Sequence, residues 1–478
     1  PGLCHGARVQ PGAVRRGRAG LMQHPADGAA RKPLMHLGLD VSYIHMGGRW
    51  RDPAALAGRR FPDVELYEDI ARLAERGLLD MIFSGDGTGV PDTYGGSRDA
   101  AVEWGINWPR QDFNPLLVAM SRVTRHIGFG LTYSTTFMHP YYTARLLNSL
   151  DHITGGRVAM NLVTSTRKSD AANFGFDQLM EHGARYDRME EFVDVCRALW
   201  DSAEPDAMVW DAATGRVTDP AKIHGVSHRG RFFQVEGPLN TPPSPQGRPV
   251  LIQAGGSPRG IQASARVADH VFGGEMALSA QAVQRRALDA ALVAEGRDPA
   301  AVGILWQTPV AVAATEREAV ARRDRQLQTM PPDAVGAYLS YNNGYDFATL
   351  PARFTLRELQ AEIVAAHASP VGVVHQMATE LGYDAEMTRA GFLEEGARYA
   401  TNHNTMLAGT AAQIADRLEE AFEATGSRGG FMLGHTASLM EDLTAIVELL
   451  VPELQRRGRF RTGYTARTLR GMLGGTEG

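Results

Sequence analysis

Apolar and polar positions follow two alternating periods along most of this chain. Runs at 34–41 (LMHLGLDV), 78–86 (LLDMIFSGD), 127–134 (IGFGLTYS) and 157–165 (RVAMNLVTS) are short and almost continuously apolar, the pattern of strands covered on both faces. Stretches of helical period separate them. Residues 64–77 place Leu66, Ile70, Leu73 and Ala74 on one side and end at Gly77, the expected C-terminal stop. Residues 114–126 open with Asn114 at the expected N-cap and Pro115 at the first helical position. Residues 140–156 end in two glycines, and 184–202 carry Met189, Phe192, Val193, Cys196 and Leu199 on one face. The alternation resumes with strand 250–254, helix 257–268, strand 270–274, helix 279–295 and strand 302–314. It closes with helix 410–426, strand 428–435 and helix 439–458. Eight strands, most followed by a helix, predict a parallel sheet with right-handed crossovers. The count favours an α/β fold of the closed (β/α)8 TIM-barrel type with long insertions; an open doubly wound sheet is the alternative.

Two segments break the rhythm. Residues 203–248 are polar and Pro-rich and are expected to wrap the outside. Residues 331–405 include YLSYNNGYDF and the helical run 355–367; such a late insertion suits a lid or substrate wall, or else a surface subdomain or oligomer contact. Residues 1–33 are rich in Gly, Ala, Pro and Arg and hold one acid, Asp27. They read as a disordered tail ahead of a barrel domain over 34–478. The remaining composition narrows the class. A chain of 478 residues, 44% hydrophobic and 22% charged, with net charge −5, is an ordinary globular protein without the basic excess that draws nucleic acid or anionic membranes. No apolar run approaches a membrane span. Two distant cysteines, Cys4 and Cys196, argue against a disulfide framework and fit a reducing, cytoplasmic setting. The histidines show no H-E-x-x-H or comparable spacing, so no metal is expected.

Candidate chemistry gathers where strands end. In PVLIQAGGSPRG (249–260), Gly255, Gly256 and Ser257 stand directly after a strand and before a helix. Glycines there let backbone approach a ligand, and unsatisfied N–H groups at the helix start suit a phosphate. Arg259 is near enough in sequence to add charge. The stretch is neither a Walker loop nor G-x-G-x-x-G, and taken alone it is equally a tight turn with a serine cap.

The wider chain resembles the bacterial luciferase-like flavin monooxygenases, in the branch of nitrilotriacetate, dibenzothiophene-sulfone and long-chain alkane monooxygenases. The resemblance is carried by ERGLLDMIFSGD, HPYYTARLLNSLDHITGGRVAMNLVTS and NFGFDQLMEHGARYDRMEEF. It continues through HRGRFFQVEGPLNTPPSPQGRPVLIQAGGSPRG and VPELQRRGRFRTGYTARTLRGML. It covers nearly everything from Met35 to Leu473 and implies the same barrel.

The resemblance also implies a two-component enzyme. A separate NAD(P)H-dependent flavin reductase would supply reduced FMN (FMNH2), and its C4a-peroxyflavin formed with O2 would oxygenate a small organic substrate. No dinucleotide fingerprint is found in the chain itself. By the same resemblance Gly256 and Ser257 hold the FMN phosphate, and Asp86 and Thr132 lie near the flavin. His182 and Tyr186 of EHGARY reach ribityl or phosphate oxygens; the family commonly has Asp where Gly183 stands. His139 and Asn161 are the catalytic candidates; His139, after the third strand, would sit at the barrel mouth, able to move a proton near neutral pH, with a structural role as its alternative. Asn161 and Ser165 are expected to orient flavin or substrate. Relatives commonly form dimers or tetramers. The competing activities are a deazaflavin (F420)-dependent dehydrogenase on a related fold and a flavin-binding protein without turnover. The aromatic residues of 338–354 suggest a partly apolar substrate pocket. An aminopolycarboxylate would need converging cations, for which Arg353 and Arg357 are available.

Overall fold

The computed structural model describes residues 32–42, 50–51, 56, 58–274, 277–367, 372–434 and 439–475. The expectation for the tail, up to residue 31, falls outside them. Eight strands form a closed parallel barrel: β1 (His36–Asp40), β2 (Met81–Ser84), β3 (Gly128–Ser134), β4 (Val158–Val163), β5 (Val250–Ala254), β6 (His270–Gly273), β7 (Gly303–Gln307) and β8 (Gly429–Gly434). Each strand pairs with its neighbours in sequence, and β8 closes on β1 with His36 opposite Gly430 and Asp40 opposite Gly434. The helices that return the chain are α1 (Val64–Arg76), α2 (Phe113–Arg122), α3 (Pro140–Thr154), α4 (His182–Trp200), α5 (Pro258–Val267), α6 (Leu278–Ala294), α7 (Ala411–Ala424) and α8 (Leu439–Ala445). The TIM barrel is thus the fold.

Side chains alternate along each strand, which is what the site depends on. Phe129 and Leu131 of β3, Val158, Met160 and Leu162 of β4, and Leu37 and Leu39 of β1 join the core shared with the helices. Met81, Phe83, Ala159, Val250, Ile252, Phe272, Leu305 and Met432 fill the barrel axis. At the carboxyl end the axial positions become polar: Asp40, Thr132, Asn161 and Gln307. The opposite end is plugged by the C-terminal segment. Leu469, Met472 and Leu473 join the axial cluster, and a Cβ on Gly128 would lie 2.6 Å from Leu469 Cδ1. Leu469→Ala is expected to cost about 2–3 kcal/mol, read from a denaturant titration, since the plug has little room to collapse around the cavity.

Three expectations from the pattern need correction. Residues 302–314 are not one strand: β7 ends at Gln307, and Val310–Val312 pairs instead with Leu407–Gly409. Pro309 has no N–H to continue the barrel ladder, and its carbonyl accepts from Leu407 N at 3.0 Å. The final helix is interrupted by a wide turn at Ile446–Leu450 before it resumes at Val451–Arg456; Pro452 again lacks the donor and crowds the preceding turn. The cap of α2 is Asp112, not Asn114. The Asn114 side chain instead donates to Tyr133 Oη at 3.0 Å.

The insertions differ in character. Residues 203–248 hold two small antiparallel pairs, Met208–Asp211 with Arg216–Thr218 and Ser227–Arg229 with Gln234–Glu236. They are anchored on α3, where Ser244 and Gln246 donate to Asp151 at 2.5 and 2.7 Å. Residues 331–405 build helices Pro332–Asn343, Leu356–His367, Gly372–Leu381 and Arg389–Ala400 around a separate apolar cluster that includes Phe347 and Phe392. Ala101 and Ile106, from the connection after β2, pack into that cluster.

Candidate active site

At the carboxyl rim, β2, β3 and β4 are stitched by one line of side chains. Asn161 Nδ2 donates to Thr132 Oγ1 at 3.1 Å, and Thr132 Oγ1 donates to the Ser84 carbonyl at 3.0 Å. The register sets this up, because Thr132 and Asn161 are Cα partners. Asn161 is 4% exposed, and its Oδ1 meets no partner among the described residues. A buried acceptor without a donor costs stability and fits a ligand that brings an N–H or O–H.

Asp86 lies on the cleft beside this line, with Thr132, Ser134, Ser165 and the apolar Leu131, Phe137, Met138, Val163 and Phe174. Its Oδ1 accepts from Gly87 N at 2.8 Å and from Arg110 Nε at 3.1 Å. Burial pushes the Asp86 carboxyl above its ordinary pKa, and the Arg110 guanidinium opposes that rise. Ser165 sits at φ 47°, a left-handed conformation uncommon outside glycine and frequent at ligand sites. Its hydroxyl donates to Ser134 Oγ at 2.8 Å, and its carbonyl accepts from Arg185 Nη1.

The diglycine bend lies where the strand ending required. Ser257 caps α5 and accepts from Gly260 N at 3.1 Å, with Pro258 in the first turn. Gly255 is packed tightly: a Cβ there would stand 2.9 Å from Gln253 Nε2 and 3.1 Å from Gly260 Cα. Gly256 faces open space, with nothing within 4 Å of a Cβ. The N–H groups of Gly256 and Ser257 meet no acceptor among the described residues. From α4, Tyr186 reaches the same turn, since a Cβ on Gly260 would be 2.9 Å from Tyr186 Oη and 3.1 Å from Ser257 Oγ. Exposed His182 lies edge-on to Tyr186, ring centroids 5.2 Å apart. Hydroxyls and open amides thus converge at a helix start, an arrangement suited to a phosphate.

Arg259 is engaged away from the bend, and His139 has a capping role of its own. Arg259 does not add charge to the bend; it binds Glu190 at 2.6 Å and Asp187 at 2.9 Å on α4. His139 is the N-cap of α3, its Nδ1 accepting from Tyr141 N at 3.3 Å. It is exposed and edge-on to Phe233 at 6.0 Å, not among the side chains lining the cleft. Partial burial, then the Arg188 charge, lowers its pKa.

Sequence reasoning missed four rim residues. Asp40 and Gln307 meet across the axis, Gln307 Nε2 donating to Asp40 Oδ2 at 3.2 Å; their signal is a polar residue ending an apolar strand. Arg110 fixes Asp86, but nothing local in its loop announces that. Arg185 is 8% exposed with Nε unpaired among the described residues, and its signal is helical phase beside Tyr186. A cavity of about 810 Å³ is lined by residues of the 327–398 region alone and holds none of these groups.

Comparison with known proteins gives one consistent picture. A family model described as luciferase-like monooxygenase matches residues 49–429. The chain is 39% identical over 439 residues to dibenzothiophene-sulfone monooxygenase of Rhodococcus erythropolis, covering 90% of this chain and 93% of that one. It is 36% identical to nitrilotriacetate monooxygenase component A of Aminobacter aminovorans, covering 92% and 96%. A solved riboflavin lyase, in complex with modified FMN and riboflavin, superposes with a TM-score of 0.82 at 31% identity, covering 93% of this chain and 96% of that one.

Proposed function

The chain belongs to the luciferase-like monooxygenase family, and from that premise we propose that it takes reduced FMN as a diffusible co-substrate and uses it with O2 to oxygenate a small organic molecule. A separate NAD(P)H-dependent flavin reductase would deliver the FMNH2, in keeping with a relative named as component A of its system. The observation that carries this reading is the meeting of Tyr186 Oη, Ser257 Oγ and the open Gly256 amide at the first turn of α5. Bound there, FMNH2 would supply the two electrons by which one oxygen atom enters the substrate and the other leaves as water.

The protein's own part is positioning and shielding. Gly256, Ser257, Tyr186 and His182 hold the phosphate end. Asn161 and Thr132 present an ordered acceptor and hydroxyl toward the ring end, with Asp86 fixed beside them by Arg110. Ser165 supplies backbone pinned by Arg185. Leu131, Phe137, Val163 and Phe174 keep water from the reacting centre. His139 serves chiefly as a helix cap; His139→Asn, which retains the cap, is expected to leave kcat within about twofold.

The reading is tested by supplying FMNH2 from a generic reductase under labelled O2 and screening candidate substrates for one incorporated label. Hydride transfer from an alcohol to F420, with no oxygen consumed in the FMNH2 assay, would replace it with the dehydrogenase. Tight FMN binding with no oxygenation of any compound would leave a binding protein.

A further inference from the structure

A second cavity, about 540 Å³, opens between the segment that follows β4 and the insertion helix Pro332–Asn343. Its lining includes Arg167, Lys168, Tyr341 and Asp92. The Arg167 guanidinium lies over the Tyr341 ring, 4.0 Å from its centroid, and no carboxylate pairs with it among the described residues. That sets it apart from Arg259, clamped between Glu190 and Asp187, and from Arg357, bound to Asp384 at 2.8 Å. The nearest acid in its own segment is engaged as well: Asp170 accepts from Gly89 N at 2.6 Å. A guanidinium stacked on a ring is oriented through its face and keeps its in-plane N–H fork for a partner. Planar oxoanions match that fork with two parallel hydrogen bonds. Lys168 adds a second positive charge, against the single exposed acid Asp92.

The cavity touches the rim through Gly87. A Cβ there would lie 2.8 Å from Tyr341 Oη and 3.1 Å from Arg167 Nη1, and Gly87 also lines the cleft next to Asp86. A molecule anchored at Arg167 therefore extends toward the residues assigned to the flavin. We propose that Arg167, stacked on Tyr341 and seconded by Lys168, is the subsite that recognises the oxygenation substrate, which accordingly carries a carboxylate or similar planar organic oxoanion. This rests on the flavin reading of the rim. The late insertion then acts as a substrate wall, because Tyr341 is the part of it that faces the bound anion's arginine.

The test titrates FMN-loaded protein with benzoate and succinate beside their uncharged amides, benzamide and succinamide, by calorimetry at low and high salt. At least one acid is expected to bind tenfold or more tightly than its amide, and Arg167→Gln to erase that preference. Lys168→Gln is expected to weaken the acid severalfold and flatten the salt dependence. FMN affinity, followed separately by fluorescence quenching, is expected to be unchanged in both variants. Acids binding no better than amides, or Arg167→Gln weakening both alike, would overturn the subsite. Arg167→Gln weakening FMN in place of the acids would also overturn it, assigning the arginine to the flavin. Acid preference retained in a protein that binds no FMN would instead defeat the flavin reading and leave the anion subsite standing.

Discussion

Ser257→Asp is expected to weaken FMN binding by about a thousandfold while leaving riboflavin binding within about twofold. The serine hydroxyl stands at the start of α5 beside the open amides of Gly256 and Ser257. A carboxylate in its place meets a phosphate dianion at contact distance, where repulsion between unit charges amounts to about 4 kcal/mol at an effective dielectric near 20. Aspartate is itself a good N-cap, so the Gly260 N–H stays satisfied and the helix is preserved. The substitution therefore separates charge from folding, and riboflavin, which lacks the phosphate, separates the bend from the ring site. Fluorescence titration of both flavins measures this directly. Equal losses for FMN and riboflavin would move the phosphate away from Ser257; unchanged FMN affinity would remove it from the bend altogether.

The legibility of this molecule follows the range of its interactions. Strands covered on both faces declare themselves in a few consecutive residues, and β1 to β6 and β8 lie within the runs read as strands. The pattern misleads where one residue overrules its neighbours. Pro309 splits a run whose apolar character is unbroken, and Pro452 opens a turn inside a strongly periodic helix. The bend at Gly255–Ser257 is readable because a phosphate site at a helix start is a local device. Tyr186 requires the resemblance, since only the packing of α4 against α5 brings its hydroxyl to Ser257. Arg167 is beyond any local reading. Its sequence neighbours suggest a solvated surface, and its meaning comes from Tyr341, which the insertion folds back over it. His139 has a local role legible beside the catalytic one: followed by Pro-Tyr-Tyr, it caps α3.

Asp80→Asn is expected to destabilise the barrel by about 3–5 kcal/mol, the loss seen when a buried ion pair is broken from one side. Asp80 is 1% exposed at the end opposite the rim. Its carboxylate accepts from Leu37 N at 2.7 Å, pairs with His36 Nδ1 at 3.0 Å and holds Arg461 of the C-terminal plug. Burial alone would raise its pKa, but Arg461 and His36 outweigh that and hold it below the ordinary carboxylate value. An amide keeps the shape and one acceptor but leaves Arg461 charged, buried and uncompensated. The same floor carries a pH response of its own. His270 is 6% exposed, and burial, helped by the nearby His36, pulls its pKa down to about 4. Between about 6.5 and about 4 the unfolded chain binds a proton at this residue that the folded barrel refuses. Stability is therefore complete above about pH 6.5 and falls as pH drops through that window, by about 3 kcal/mol at most. The Asp80 contribution is lost only further down, below the ordinary carboxylate pKa and through its depressed folded value. Denaturant titrations at pH 7.5, 5 and 4 resolve the two. Asp80→Asn is expected to lower stability at all three pH values, whereas His270→Phe is expected to flatten the decline between pH 7.5 and 5. A decline equally steep in His270→Phe would place the responsible proton on another group, and an undiminished stability of Asp80→Asn at pH 7.5 would show that Arg461 does not need its acid to hold the plug in place.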